Sequence, residues 1–529
     1  MQEKKGYVSF VLHAHLPFIH HPESDDYLEE SWLFEAISET YIPLLTNFQK
    51  LVDEGVTFKI TMSMTPPLLS MLDNKLLQRK YMKYLKQLIE LSEKEIKRTA
   101  YDKRLNELSH YYFDRYSNDL HLFKDVYHCN LIEAFKHFQD LGVLEIITCG
   151  ATHGYFPILY VNEKMVKAQI AVGVQTYERY FGRKPRGIWL PECGYVPEAD
   201  KYLKEFGINY IITETHGILY ANPTPIYGTF APIVSPEGVI AFGRDIESSR
   251  QVWSSINGYP GDYNYREFYR DIGYEADYDY IKPYIAHNGV RVHTGIKYHR
   301  ITGDTDFKDY YNPQWAFDSA EKQAGHFLDS RNTQINNLSQ YMDDSPPIIL
   351  CPYDAELYGH WWYEGPYWLY ILFKKIYYDD CNFELITPSE YIDKYPNMQI
   401  ASPCRSSWGA NGYSEVWLNP TNDYVHRHLH VAGDRMCELA WAYPNAKGLT
   451  KKALNQCARE LLLAQSSDWL FIITNGTMVD YAKKRIKDHI GRFTKLYEQI
   501  KENNIDEDFL KDISKKDCVF PDIDYMIYH

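Results

Sequence analysis

Two carboxylates stand where buried strand gives way to loop, Glu192 in "GIWLPECGY" and Asp354 in "IILCPYDAELYGHWW". Each follows an apolar run and precedes small or aromatic residues, with Trp189, Trp361 and Trp362 close by in sequence. A carboxylic acid and a carboxylate in an aromatic cleft can cleave a glycosidic bond: one attacks or stabilises the anomeric carbon while the other protonates the leaving oxygen. A single such acid could equally cap a helix or pair with an arginine. A second constellation opens the chain, where "YVSFVLHAHLPFIHHP" sets His13, His15, His20 and His21 behind an apolar run. An HxH pair at the end of a first strand suits zinc as readily as it suits sugar hydroxyls. His153, His216, His293, His299 and His360 could complete a metal-dependent hydrolase site. His426 and His430 in "YVHRHLHVAG" have i, i+4 spacing without the glutamate of HExxH, and read as an ordinary helix face. Cys193 and Cys351 adjoin the two carboxylates, but no Cys-His-Asn signature accompanies them, so they read as packing residues.

The elements that must carry these residues alternate short β-type runs with longer helical patterns over the first ~400 residues, the order of parallel strands joined by helices. The strand candidates are "YVSFVLHAH", "FKITMSMTPP", "EIITCGATHG", "RGIWLPECGY", "YIITETHG", "VRVHTGIKYH" and "PPIILCPYDAEL". Each ends in polar, histidine-bearing or acidic residues, as strands do at the active face of an α/β barrel. The charged and aromatic stretch 76–137 reads as a helical insertion into a catalytic barrel made of 1–75 and 138–400. Residues 401–529 read as a C-terminal helical domain on 3.6-residue apolar spacing. The Pro-, Gly- and Tyr-rich region 215–290 is too long for a plain connection and reads as a lid or binding loop.

Composition narrows the partners. A net charge of -15 with pI near 5.7 argues against nucleic acid, whose binders present a basic face. "MQEKKGYVSF" lacks a signal-peptide pattern and no apolar run reaches the ~18 residues of a membrane span, so a cytoplasmic chain that contacts no membrane is expected. Nine cysteines without a CxxC pair do not form a disulfide framework. The 47 Tyr, 24 Phe and 11 Trp exceed what a core requires, which hints at stacking on sugar rings.

Five motifs occur in order: "HAHLP" near the start, "THGYFP" at 152–157, "WLPECGY" at 189–195, "YDAELYGHWW" at 353–362 and "SSWGANGYSEVWL" at 406–418. Together they resemble the five sequence regions of glycoside hydrolase family 57, and "FGRDIESSRQVWS" and "LAQSSDWLF" look like that family's branching enzymes. The resemblance implies a distorted, incomplete TIM-like (β/α)7 barrel with a helical insertion and an all-α C-terminal domain. It implies a retaining double displacement with Glu192 as nucleophile and Asp354 as general acid/base, no metal and no cofactor. The implied reaction is cleavage of α-1,4-glucan (amylose, amylopectin, glycogen) and transfer to a 6-hydroxyl, with some hydrolysis, by a monomer or weak homo-oligomer. The alternatives within the family are 4-α-glucanotransferase and α-amylase. The same resemblance assigns substrate contacts to His13, His15, His153, Trp189, Arg244, Trp253, Gly261, Trp361, Trp362, Trp408, Trp417 and Asp468, and makes Tyr227 the candidate for a tyrosine on a loop over the site. A retaining pair needs its carboxyl groups about 5–5.5 Å apart, an inverting pair about 6.5–9.5 Å.

Overall fold

The computed structural model describes residues 4–254, 258–285, 289–343 and 345–529. Its strands are β1 (Gly6–Ala14), β2 (Ile60–Met64), β3 (Leu144–Cys149), β4 (Gly187–Trp189), β5 (Tyr210–Thr213), β6 (Ile233–Val234), β7 (Ile240–Gly243), β8 (Ile348–Asp354), β9 (Phe383–Leu385) and β10 (Gln399–Ile400). β1 is buried at every position, as is β2, and both read as near-continuous apolar runs because helices cover one face and the barrel interior the other. The parallel ladder runs β8–β1–β2–β3–β4–β5–β7. β7 and β8 share no ladder among the described residues, but the Asp245 amide donates to the Leu350 carbonyl at 3.0 Å across that seam. The result is a curled (β/α)7 barrel whose last seam is incomplete. β6 lies antiparallel to β7 and pairs with β10, while β9 pairs with β1.

Two expectations about the strands need correction. "VRVHTGIKYH" is not a strand: the Thr294 amide and hydroxyl and the Gly295 amide donate to the Asp271 carboxylate at 2.9, 2.8 and 2.9 Å, and the Lys297 carbonyl accepts from the Tyr112 hydroxyl at 2.7 Å. Its other carbonyls bond to the backbone of neighbouring loop residues, Ile296 to the Ile272 amide, Tyr298 to the Tyr311 amide and His299 to the Glu267 amide, so it joins no barrel strand. The seventh barrel strand is β7, hidden as the short run "IAFG" in the stretch that reads as loop.

Helices Lys75–Arg98 and Lys103–His121 pack on each other, each started by a side-chain cap. Asn74 Oδ1 accepts from the Leu76 amide at 2.9 Å, and Asp102 Oδ1 from the Arg104 amide at 2.9 Å. Residues 401–425 run over the barrel mouth, with Ser402 and Ser406 bridging to Asn222 and Tyr195. Five helices follow, His426–Ala442, Gly448–Ala464, Ser467–Asn475, Val479–Lys501 and Glu507–Lys516. The start of the third is pinned to the barrel, since Ser466 bridges to Gly154 and the Ser467 amide donates to the His153 carbonyl at 3.1 Å. No helix among the described residues is long and apolar enough to cross a membrane.

Candidate active site

The C-terminal ends of β1, β3, β4 and β8 meet at one mouth. In the β1–β8 register His13 stands opposite Asp354, the last residue of β8. The His13 ring lies flat on Trp189 (4.5 Å between centroids, 7°), and His153 stacks on His15 at 4.0 Å. His13 and His153 share a hydrogen bond between their Nε2 atoms at 3.0 Å, and their Nδ1 atoms reach the hydroxyls of Ser63 (3.2 Å) and Ser467 (2.8 Å). Burial drives both imidazoles well below the usual histidine range and the neighbouring His15 adds to it, so they are neutral. Burial works the same way on His15, but Asp468 outweighs it: both carboxylate oxygens sit 3.0 Å from His15 Nε2, and the pKa is raised. Thr65 Oγ1 holds the other nitrogen at 3.0 Å.

Glu192 sits on the turn Pro191–Cys193 directly after β4, in left-handed backbone at φ 59°, followed by Cys193 at φ 50°. Two successive non-glycine residues there store strain that the fold must hold in place. The Trp408 amide donates to the Glu192 carbonyl at 2.9 Å and so locks the turn. Its carboxyl takes two neutral donors, Trp408 Nε1 on Oε2 and Ser467 Oγ on Oε1, both at 2.7 Å. Burial pushes the Glu192 pKa up to about 7, and those two donors oppose it. Asp354 is raised well above the carboxylate range, first by burial and then by the charges of Glu356 and Glu192. Glu356, two residues on, accepts from the Tyr41 hydroxyl at 2.5 Å and the His15 amide at 3.2 Å, and burial lifts it to about 7. Arg244 enters from the end of β7, where Glu214 Oε2 (2.9 Å) and Ser249 Oγ (2.7 Å) fix its guanidinium 5.8 Å from the Trp408 ring. Trp408 in turn meets Trp189 and Trp253 edge to face at 5.1 and 6.1 Å.

This arrangement suits acid–base and nucleophilic work on a neutral polyol: a carboxyl poised to donate, a second one poised to attack, and a wall of neutral imidazoles and indoles. Donor atoms of His13, Cys149 and His153, and of His15, His153 and Asp468, lie within 4.8 Å of one another, the spacing of a metal set. The histidine nitrogens bond to each other, to hydroxyls and to Asp468.

Comparison with known proteins agrees with the geometry. Residues 9–403 match the profile of glycosyl hydrolase family 57. The chain belongs to that family. Residues 428–528 match the C-terminal domain profile of 1,4-alpha-glucan branching enzyme. The chain is similar to the 1,4-alpha-glucan branching enzyme of Thermococcus kodakarensis, 33% identical over 98% of this chain and 77% of that one. Among solved structures it resembles the alpha-amylase AmyC of Thermotoga maritima (45% identical, TM-score 0.93, 99% of each chain). It also resembles the family 57 branching enzyme of Pyrococcus horikoshii (32% identical, TM-score 0.88, 99% of this chain and 97% of that one).

Not every residue named from the family 57 motifs reaches the mouth. His13, His15, His153, Trp189, Glu192, Arg244, Trp253, Trp408 and Asp468 form one connected network there, and Asp354 joins it through the β1 register. Trp362 and Trp417 are each 1% exposed. Trp362 packs among Tyr259, Tyr265, Tyr358 and Trp368, and Trp417 lies 4.7 Å from Tyr155, so neither has an open face for a sugar ring. Gly261 ends the turn Tyr259–Gly261 on the Trp362 side. Trp361 stacks on Phe268 away from the histidine wall. Tyr227 is half-buried ahead of the turn Gly228–Phe230. His20 and His21 lie outside the mouth, bonded to the Lys516 carbonyl and the Tyr481 hydroxyl. Ser467, Glu356, Tyr41, Ser63 and Thr65 escape the sequence reading. Glu356 and Ser467 lay within the quoted motifs, beside residues already chosen, while Tyr41, Ser63 and Thr65 matter only through contacts across the fold.

Proposed function

We propose that the protein is a 1,4-α-glucan branching enzyme that works by retaining double displacement, with Glu192 as nucleophile and Asp354 as general acid/base. The observation that carries this reading is the state of the two carboxyls. Burial raises both carboxyls above the ordinary carboxylate range, Asp354 with the added charges of Glu356 and Glu192, and Glu192 to about 7 while it accepts from the neutral donors Trp408 and Ser467. In the first step Asp354 gives its proton to the glycosidic oxygen while Glu192 bonds to C1, and the 4-hydroxyl end of the glucan leaves. In the second, the Asp354 carboxylate takes the proton of an incoming 6-hydroxyl, whose oxygen bonds to C1 and releases Glu192. Trp408 and Ser467 each occupy one lone pair of a Glu192 oxygen, leaving another for attack. His13, His15 and His153 offer hydrogen bonds to the ring hydroxyls, and Trp189 backs them. The barrel of 1–75 and 138–400, the insertion 76–137 and the tail 401–529 form one working unit in this reading, because Ser467 and Asp468 complete a site made by barrel strands.

A second reading, α-glucan hydrolysis, is favoured by the likeness to the Thermotoga maritima alpha-amylase. The two differ only in what attacks the glycosyl-enzyme. Incubation with amylose separates them: branching makes α-1,6 linkages without matching reducing ends, whereas reducing ends without new linkages mean an amylase.

A further inference from the structure

The loop that leaves Asp354 is fastened to a distortion in the helical stretch 31–53, between β1 and β2. Residues Ile37–Tyr41 form one π-helical turn, closed by the Ile42 amide on the Ile37 carbonyl, a rare geometry that recurs at functional sites. Each insertion helix holds this turn: the Tyr81 hydroxyl lies 2.7 Å from Ser38 Oγ, and Arg115 Nη2 donates to the Ser38 carbonyl at 3.1 Å. The turn also meets the loop. Glu39 is bonded to His360 Nδ1 at 2.7 Å, and a Cβ on Gly359, whose φ is 112°, would collide with the Glu39 carbonyl oxygen, so glycine is what lets loop and turn come this close.

Tyr41 ends the turn, fully buried, and its hydroxyl donates to Glu356 Oε1 at 2.5 Å. The same oxygen accepts from the His15 amide at 3.2 Å. In the β1–β8 ladder His13 is paired with Asp354; two residues further along each chain a side chain has taken over, with the Glu356 carboxyl closing on the His15 amide. One carboxyl oxygen therefore joins the loop after the acid/base to the end of β1 that presents His15 and, through Tyr41, to the insertion. Neither Glu356 nor Tyr41 has a task in the displacement itself. The charged groups that face Asp354 are Glu356 from its own loop, Glu192 from the turn after β4, His15 from β1 and Arg244 from the end of β7. Among these four, Glu356 acts on it most strongly.

We infer that Glu356, held by Tyr41, is a positioning residue for Asp354: it fixes the acid/base loop against the end of β1 and supplies the negative charge that Asp354 faces while it waits to give up its proton. Without that neighbour only Glu192 would oppose ionisation of Asp354, whereas His15 and Arg244 favour it, so the proton would leave at lower pH. The inference rests on the assignment of Asp354 as general acid/base above.

The test is kcat/KM on amylose from about pH 5 to about 10 for the parent, Glu356→Gln and Tyr41→Phe. Glutamine keeps an oxygen for the Tyr41 hydroxyl and the His15 amide but removes the charge. The basic limb, set by loss of the Asp354 proton, is therefore expected to move down by about one unit. Tyr41→Phe removes a donor that favours ionised Glu356, so its limb is expected to move the same way by a smaller amount. A limb that stays in place in Glu356→Gln, whatever the height of the profile, overturns the inference, because a merely structural role would lower activity at every pH alike. Should Glu356→Gln fail to fold, Tyr41→Phe decides by the same criterion. Asp354→Asn separates the two levels: full activity in that variant overturns the acid/base reading itself, whereas its inactivity together with an unmoved limb in Glu356→Gln overturns only the role of Glu356.

Discussion

Glu39 and Asp271 are buried carboxylates, as Glu192 is, and the protein treats them in opposite ways. Against their burial, Arg266 and His360 hold Glu39, and Lys297 with four donors, three backbone amides and one hydroxyl, holds Asp271, so both sit well below the carboxylate range. Glu192 and Asp354 are given neutral donors or acidic neighbours instead, and both are raised. The structural carboxylates bond directly to a cation, whereas the proposed catalytic pair meets His15 and Arg244 only through space and is held high by burial.

The largest effect should come from removing the working pair. Glu192→Gln and Asp354→Asn are each expected to lower transfer and hydrolysis together by about 10²–10⁴-fold or more, measured on amylose. Loss of one activity with retention of the other would break the assignment of a shared glycosyl-enzyme. Next in size is the structural group. Arg266→Leu strands Glu39 in the interior and should cost about 3–5 kcal/mol of stability, read by denaturant unfolding, while leaving the pH profile of the surviving activity in place.

The pH dependence of stability should distinguish the two groups by sign. Glu192 and Glu356 titrate near 7 in the folded protein against an ordinary 4.5, so the stability tied to their protonation is present below about 4.5 and lost as pH rises towards 7. Glu39 and Asp271 contribute the reverse, stability that is present at neutral pH and lost on acidification. Between pH 5 and 8 the Glu192 contribution falls as pH rises, so Glu192→Gln should shift the slope of melting temperature against pH in the positive direction relative to the parent. A slope unaltered by the substitution would contradict the raised Glu192 pKa. The smallest effect concerns the donors: Trp408→Phe or Ser467→Ala removes a bond that favours the ionised Glu192, so the acid limb of kcat/KM should move to higher pH by up to about one unit. Activity at pH 6 would then drop more than activity at pH 8.

The barrel and its two carboxylates were legible because a parallel strand buried on both faces writes itself as an apolar run, and the chemistry follows where the run stops. β7 was not legible, since four residues ending in glycine carry too little pattern to stand out from a loop. "VRVHTGIKYH" alternates like a strand but bonds to Asp271, Tyr112 and the backbone of neighbouring loop residues, a tertiary fact with no local signature. Trp417 lay in Gly- and Ser-rich sequence, which suggested an open cleft, yet it is covered by Tyr155 and the C-terminal helices. The contribution of Ser467 to Glu192 needs a helix 275 residues away to dock on His153, a placement that only the fold supplies.

The central claim is that Glu192 bonds covalently to the donor sugar. Trapping with a 5-fluoro-α-glucosyl fluoride, followed by proteolysis and mass spectrometry, addresses it directly. The account predicts one added sugar on the peptide containing "WLPECGY", at Glu192, and its absence in Glu192→Gln. A label on any other residue, or a turnover that inverts the anomeric configuration and never gathers a labelled enzyme, would contradict it.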